Sequence, residues 1–254
     1  PASKLILAIE CGGSDATSGL AANPAVGVAA DKLIEEGGTV MFGETQEMIG
    51  TQHVLANRAV NEEVAKSIYE VIEKQEARQK AMGVDSRWMS KGNIDGGLTT
   101  LEEKSLGAVR KGGTKTIQGV LYNNWERFDT PSESGLYIMD GPGWDVPSIT
   151  HMVAAGAQIV CFTSGRGSTT GHAVAPVIKI TGNQKTFNKM PDNMDINAGT
   201  ILDGSESLNS VGQRIYNMII HTANGRQTKA ETLGYNDFIV FKRSREAERF
   251  LGHC

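Results

Sequence analysis

Cysteine, proline and aromatic residues are all sparse in this chain, and so is any excess of charge. Of 254 residues, three are cysteine, seven are proline and 6% are aromatic, and the net charge is −4. The cysteines, Cys11, Cys161 and Cys254, are odd in number, far apart and without a CxxC pair. That pattern excludes a disulfide scaffold and a closed structural zinc site, and it predicts a reducing, cytoplasmic setting. The slight acidic balance lacks the basic footprint of a nucleic-acid binder. No apolar run approaches the roughly 20 residues that a membrane helix needs. No charged segment followed by a long apolar stretch marks a signal peptide. Nucleic acid and membrane are therefore not expected as partners.

Glycine, by contrast, is plentiful. It makes up 30 of the 254 residues, against about 7% in an average protein. It gathers in short polar clusters: Gly12-Gly13, Gly92 with Gly96-Gly97, Gly112-Gly113, Gly141 with Gly143, and Gly165-Arg166-Gly167. Each borders an apolar segment, where glycine serves either an ordinary turn or a close approach of backbone to a ligand.

Between these clusters the hydrophobic pattern alternates between strand and helix. Leu5 to Ile9, Thr39 to Phe42, Ile117 to Leu121, Leu136 to Met139, Ile159 to Thr163 and Val177 to Ile180 read as short buried strands. Asn23-Pro24 reads as the cap and first turn of a helix running to Gly37-Gly38. A long amphipathic helix is predicted from Asn61 to Met82, with Val64, Ile68, Val71 and Ile72 on one face. Gly83 to Gly97 reads as loop. Thr99 with Glu102, and Thr100 with Glu103, form overlapping capping boxes for the next helix. Helices are also expected near Ser148 to Ala155, Phe187 to Met190, Ser207 to Asn224 and Thr228 to Leu233. The expected fold is α/β: a mainly parallel sheet with helices on both faces, Rossmann-like in its layers, and a helical C-terminal part. Residues 1–242 form one domain in this reading, and 243–254 a charged tail.

In open α/β sheets ligands bind beyond the carboxyl ends of the strands. Cys11-Gly12-Gly13-Ser14-Asp15 follows the first strand and is the leading candidate site segment. Glu44 and Glu47 follow the second strand, Asp140 the fourth, and Arg166 the fifth. These residues, with Asn93 and Thr99-Thr100, are expected to converge on one crevice.

Several of these segments together resemble the C-terminal part of the altronate/galactarate dehydratase family. The matching stretches are Cys11 to Asp15 with Ala22-Asn23-Pro24-Ala25, Glu44-Thr45-Gln46-Glu47, and Gly92-Asn93 with Gly96-Gly97-Leu98-Thr99-Thr100. Glu103 to Ala108, Phe162 to Gly167, and Met194-Asp195-Ile196-Asn197 with Gly199 follow in family order. The resemblance implies a metal-dependent lyase that dehydrates a sugar acid to a 2-keto-3-deoxy acid, commonly with iron(II). The same superfamily includes an enzyme that eliminates sulfite from sulfolactate, which is the alternative reaction. The resemblance also implies a longer enzyme, with an N-terminal part ahead of Pro1, so this chain is expected to be incomplete as a catalyst, with little or no dehydratase activity by itself, and to form a homo-oligomer. A fragment of this kind is alternatively a binding and oligomerisation module without turnover of its own. In the altronate and galactarate enzymes a lysine follows the asparagine of the Gly-Asn motif; here Ile94 stands in that place, before Asp95.

Such a dehydration removes a proton α to a carboxylate and expels the β-hydroxyl. It needs a base, an acid, and positive charge for the enolate-like intermediate. The expected catalytic groups are Lys104, Glu44 and His53. Gly12, Gly13, Ser14, Asp15, Asn93, Thr99, Thr100 and Arg166 are expected to bind the anionic substrate, with Arg166 as carboxylate clamp or, alternatively, as a loop ion pair. Cys11, Glu47 and Asp140 are expected as metal ligands, since thiolate and carboxylate both suit iron(II). Cys11 also reads as a small buried hydrophobe. Cys161, inside an apolar strand, reads as core.

Overall fold

The computed structural model describes residues 1–81, 83, 85, 89–123 and 127–239. The predicted tail at 243–254 lies outside the described residues. Seven strands form one sheet: β1 (Ile6–Cys11), β2 (Thr39–Phe42), β3 (Ile117–Tyr122), β4 (Gly135–Asp140), β5 (Ile159–Thr163), β6 (Val177–Thr181) and β7 (Ile196–Asn197). Their order is β3-β4-β2-β1-β5-β6-β7, and every pairing is parallel. The all-parallel arrangement explains why the strands read as continuous apolar runs, because both faces are covered.

Nine α-helices connect them: α1 (Asn23–Glu35), α2 (Gln52–Ala56), α3 (Glu62–Ala81), α4 (Lys91–Asp95), α5 (Leu101–Val109), α6 (Asp145–Ala154), α7 (Gln184–Lys189), α8 (Leu208–Ala223) and α9 (Lys229–Thr232), counted among the described residues. Leu7, Ile9, Val40, Phe42, Ile138, Cys161 and Ile178 point to one face and meet α1, α3 and α8. Ala8, Met41, Tyr137, Val160 and Phe162 point to the other and meet Ile149 and Met152 of α6. Successive strand residues thus feed opposite cores, the two-residue period of a strand.

The sequence reading of the first helix needs correction at its start. The helical run begins at Ala16, widens into a π-turn over Ser18–Ala22, and continues as α1. Its cap is Asp15, whose Oδ1 accepts from Thr17 N at 2.9 Å and Ser18 N at 3.1 Å. Asn23 sits mid-helix and is 1% exposed; its Nδ2 donates to Gly107 O and its Oδ1 accepts from Thr163 Oγ1. The Asn-Pro pair looked like a cap because proline is favoured in a first turn. Here it follows a π-turn, which relaxes the usual i−4 hydrogen-bond demand that proline breaks.

Other boundaries follow the expected chemistry. Asn61 Oδ1 accepts from Val64 N at 2.9 Å and starts α3. Thr100 caps α5 by accepting from Glu103 N at 3.1 Å, while Glu103 reaches back to Thr99 N and Oγ1. The stretch read as loop before Gly97 contains α4, capped by Ser90 and too short to show a helical period. The two-residue strand β7 escaped the periodicity for the same reason.

The chain runs from β1 to β2 on one side and later crosses to β5 on the other. The strand order therefore reverses between β1 and β5. In this fold type that switch point opens a crevice at the carboxyl ends of the strands.

Candidate functional site

At that crevice a thiol, several carboxyls and two lysines are packed together out of water. Cys11 ends β1, and its Sγ donates to Glu47 Oε2 at 3.1 Å and Glu44 Oε2 at 3.5 Å. Cys11 N also donates to Glu44 Oε2 at 3.2 Å. Lys111 Nζ donates to Cys11 Sγ at 3.0 Å and to Glu44 Oε2 at 2.6 Å. Lys104 Nζ pairs with Glu47 Oε1 at 2.5 Å. The Lys111 side chain is 1% exposed and that of Lys104 13%, so Lys111 lies inside and Lys104 at the mouth.

Local structure explains how these groups meet. Glu44 turns the chain out of β2 with φ of 69°, a left-handed conformation that costs a non-glycine residue free energy. The turn feeds a short 3₁₀ segment, Thr45–Met48, that carries Glu47 inward. Lys104 projects from the first turns of α5. Lys111 lies in the 3₁₀ turn Arg110–Gly112 that ends this helix. That turn lies against α1 so tightly that a Cβ on Gly27 would meet Arg110 O at 2.3 Å. A basic residue at a helix end, ordinarily solvated, is thereby turned into the core.

Beneath the cluster, Glu10 is 0% exposed. Its Oε2 accepts from Ser148 Oγ at 2.6 Å, and among the described residues its Oε1 has no hydrogen-bond partner. To one side stands Asp145, the first residue of α6. A Cβ on Gly12 would lie 2.4 Å from its Oδ1, so the carboxyl rests directly on the Gly12 backbone. Trp144 before it has φ of 87°, and Glu44 and Trp144 are the two non-glycine residues at positive φ among those described. Both strained residues thus flank the same cluster.

The electrostatics follow from the packing. Burial, then Glu47, pushes the Cys11 thiol well up. Burial, then Glu44, pushes the Glu10 carboxyl well up. Burial works against the charge on Lys111, but Cys11 and the surrounding carboxylates outweigh it and hold the ammonium well above its ordinary range. For Glu47 burial is likewise outweighed, by Lys104 first and then Lys111, and its pKa is lowered. Burial also opposes the Lys104 ammonium, and Glu47 holds it up. Asp145 is raised to about 6, by burial first and then by Glu44 and Glu47. Two lysines therefore face five acidic side chains, and burial favours the protonated form of Cys11, Glu10 and Asp145.

The remaining expected site residues fall in different places, some beside the cluster and others away from it. With its amide oriented to suit its neighbours, Asn93 donates to Ser14 O and accepts from Lys104 Nζ, both at 3.2 Å. Arg166 is exposed, and its N donates to Gly13 O at 3.1 Å. Its guanidinium occupies the space of a Gly92 side chain, where a Cβ would lie 1.9 Å from Nη1. Ser14, Asn93, Lys104 and Arg166 thus line one wall. Asp15 is engaged in capping and in accepting from Asn183 Nδ2 at 2.8 Å, with its carboxyl seated on Gly165. Thr99 and Thr100 are exposed and serve the start of α5. Asp140 accepts from Thr45 Oγ1 at 3.4 Å, and its pKa is raised by burial against the pull of Lys74 and Arg78. His53 is exposed on α2 and does not join the buried cluster. Ile94 is 55% exposed, and Asp95 beside it pairs with Lys91 at 2.9 Å.

Among the described residues, the side chains able to hold a metal ion together are Cys11, Glu44 and Glu47, whose donor atoms lie within 4.8 Å of one another. Asp140 is not in that group, and Glu44 is. Sequence reasoning missed Glu10, Lys111, Asp145 and Ser148. An acid inside the apolar run that ends at Cys11 was a usable signal for Glu10. Lys111, Asp145 and Ser148 carried none that local pattern could separate from ordinary helix termini.

Residues 2–246 match the family model described as D-galactarate/Altronate dehydratase, C-terminal. The chain belongs to this family. The β subunit of (2R)-sulfolactate sulfo-lyase from Chromohalobacter salexigens is 37% identical over 94% of this chain and 61% of that subunit. Galactarate dehydratase (L-threo-forming) from Escherichia coli is 40% identical over 95% of this chain and 46% of its own length. Altronate dehydratase from Bacillus subtilis is 34% identical over 95% and 48%. This galactarate/altronate dehydratase C-terminal domain thus spans about half the length of the curated dehydratases it matches. Among its described residues, no helix is long and apolar enough to cross a membrane.

Proposed function

We propose that this chain carries the reaction centre of a lyase that eliminates water from a sugar acid of the altronate or galactarate type. The observation that carries the reading is the buried Cys11–Glu44–Glu47 group set against Lys104 and Lys111 at the sheet's switch point. Cys11, Glu44 and Glu47 would hold a divalent metal, iron(II) by the chemistry of a thiol with two carboxylates. Cys11 would give up its proton there, since a thiol binds a metal as thiolate. When bound, such a metal supplies Lewis acidity to an oxygen of the substrate.

The chain's own residues do the rest. Arg166 binds the substrate carboxylate, and Gly92 leaves its guanidinium room to do so. Asn93 holds Lys104 at the mouth. With Glu47 committed to a cation, Lys104 would lose the charge that holds its proton across 2.5 Å and release that proton to solvent, and the amine that remains accepts the proton α to the carboxylate. Lys111 stays an ammonium and offsets negative charge beneath the reacting carbons.

The sulfite-eliminating reading has a specific support, the 37% identity to a sulfolactate sulfo-lyase β subunit. Both reactions begin with the same α-proton abstraction and differ in the leaving group. Turnover of altronate, galactarate and sulfolactate, with and without added iron(II), separates them through keto-acid and sulfite release. Lys104→Met is expected to lower kcat by about 10² or more, the usual contribution of a proton-transfer group. Binding of these acids without turnover by the 254-residue chain, with iron(II) present, would favour the binding-module reading.

A further inference from the structure

The lyase reading leaves one proton without a source. Expelling a β-hydroxyl releases hydroxide, a poor leaving group unless it is protonated as it departs. Four carboxyls surround Cys11, and geometry separates them. Glu44 and Glu47 are each bonded to a lysine ammonium. Glu10 is 0% exposed, beneath Ser148, out of reach of a substrate. Asp145 is partly exposed, and among the described residues no other residue donates a hydrogen bond to its carboxyl. It faces Glu44, Glu47 and Lys111 across the cluster. The Gly12 backbone fixes it from below and the strained Trp144 fixes it from behind.

We propose that Asp145 delivers the proton to the departing β-hydroxyl. The proposal rests on the lyase reading and deepens it. The Lys104 amine takes the Cα proton, and the C–H electron pair passes into the carboxylate as an enolate, then returns to form the Cα=Cβ bond as the leaving group departs. The Cβ–O bond breaks with its electrons on oxygen, which takes the Asp145 proton and leaves as water. The Asp145 carboxylate regains a proton from solvent through its exposed side, and the enol ketonises. Environments that hold neighbouring carboxyls in different protonation states are the usual basis for dividing acid and base roles. Sulfite, already anionic and weakly basic, leaves with the C–S electrons and needs no proton. Asp145 therefore matters for elimination of water and not for elimination of sulfite.

The test compares native enzyme with Asp145→Asn, both supplied with iron(II), on galactarate, altronate and sulfolactate. It follows keto-acid formation, sulfite release, and exchange of the α-hydrogen with deuterated water by NMR. The expected result is a loss of about 10² or more in water elimination, with α-hydrogen exchange and any sulfite release near the native rate. Asp145→Glu keeps the proton and displaces it by a methylene, so it should retain an intermediate rate. If Asp145→Asn is misfolded, the Glu variant decides, and an exchange rate lost in parallel with elimination overturns the proposal. Equal loss of exchange and elimination in Asp145→Asn, or no loss at all, overturns it while the lyase reading stands. Native enzyme that neither exchanges the α-hydrogen nor forms keto acid from any of these acids overturns the lyase reading, and this proposal with it.

Discussion

Two regions of the molecule bury a lysine against the same sheet, and they treat it differently. At the ends of β1 and β2, Lys111 is bonded to Cys11 and Glu44, both themselves buried and titratable. On β6, Lys179 is 0% exposed, its Nζ has no hydrogen-bond partner among the described residues, and it lies 5.4 Å from the Tyr235 ring centroid. Its nearby acid, Asp195, spends its oxygens on backbone, accepting from Lys179 N at 2.8 Å and Lys229 N at 3.0 Å. Asp195 thus staples α9 to β6. Burial lowers the Lys179 pKa, whereas the acids around Lys111 raise it well above its ordinary range. A buried charge answered by backbone holds a fold together. A buried charge answered by other titratable side chains can exchange protons or give way to a cation, which is what a reaction centre requires.

The sharpest way to break this comparison is to make the same substitution in both places. Lys111→Met leaves Glu44 buried without its ammonium, and stability should fall by about 3–5 kcal/mol. Equilibrium urea unfolding measures the loss; a change under about 1 kcal/mol would mean the two regions are not different in kind. Next in size is Gly12→Ala, whose Cβ would lie 2.4 Å from Asp145 Oδ1. Overpacking of this sort costs about 1–3 kcal/mol, and the displaced Asp145 should slow water elimination as well, by the assay described above.

A smaller and pH-dependent effect is expected for Lys104→Met. Glu47 has a lowered pKa in the folded protein, chiefly because Lys104 outweighs burial. Its contribution to stability is therefore present above its ordinary value of 4.5 and is lost as pH falls through the lower folded value. Wild type should exceed the variant in stability at pH 7, and the gap should close in acid. A gap that persists unchanged at low pH would show that Lys104 stabilises by packing alone. The smallest effect is expected for Lys179→Met, within about 1 kcal/mol of wild type, because an apolar side chain of similar volume replaces an ammonium without hydrogen bonds. A loss as large as that of Lys111→Met would remove the distinction between the regions.

Much of the fold was legible because burial on both faces leaves a plain mark on a parallel strand. Thr39–Phe42 and Ile159–Thr163 were readable to the residue, and α3 could be seen from the spacing of Ile68, Val71 and Ile72. Short elements such as α4 and β7 were not, since fewer than two helical turns or two strand periods leave no pattern. Of the site, Cys11, Glu44, Glu47 and Lys104 stood out from their place after strands or in a recognised motif, and the structure brings those four together. His53 stood close to Glu47 in sequence, yet the helix that carries it turns it to solvent.

By itself the sequence determined the alternation of strand and helix, the glycine-bordered loops at the strand ends, and membership in the family, since each is written in local composition and order. Only the tertiary structure decided which charges meet. Lys111 lies 100 positions from Cys11, and Ser148 lies 138 from Glu10. No local pattern encodes such pairs. They exist because the reversal of strand order beside β1 draws the ends of separate elements to one place, where low dielectric makes each charge depend on its neighbours.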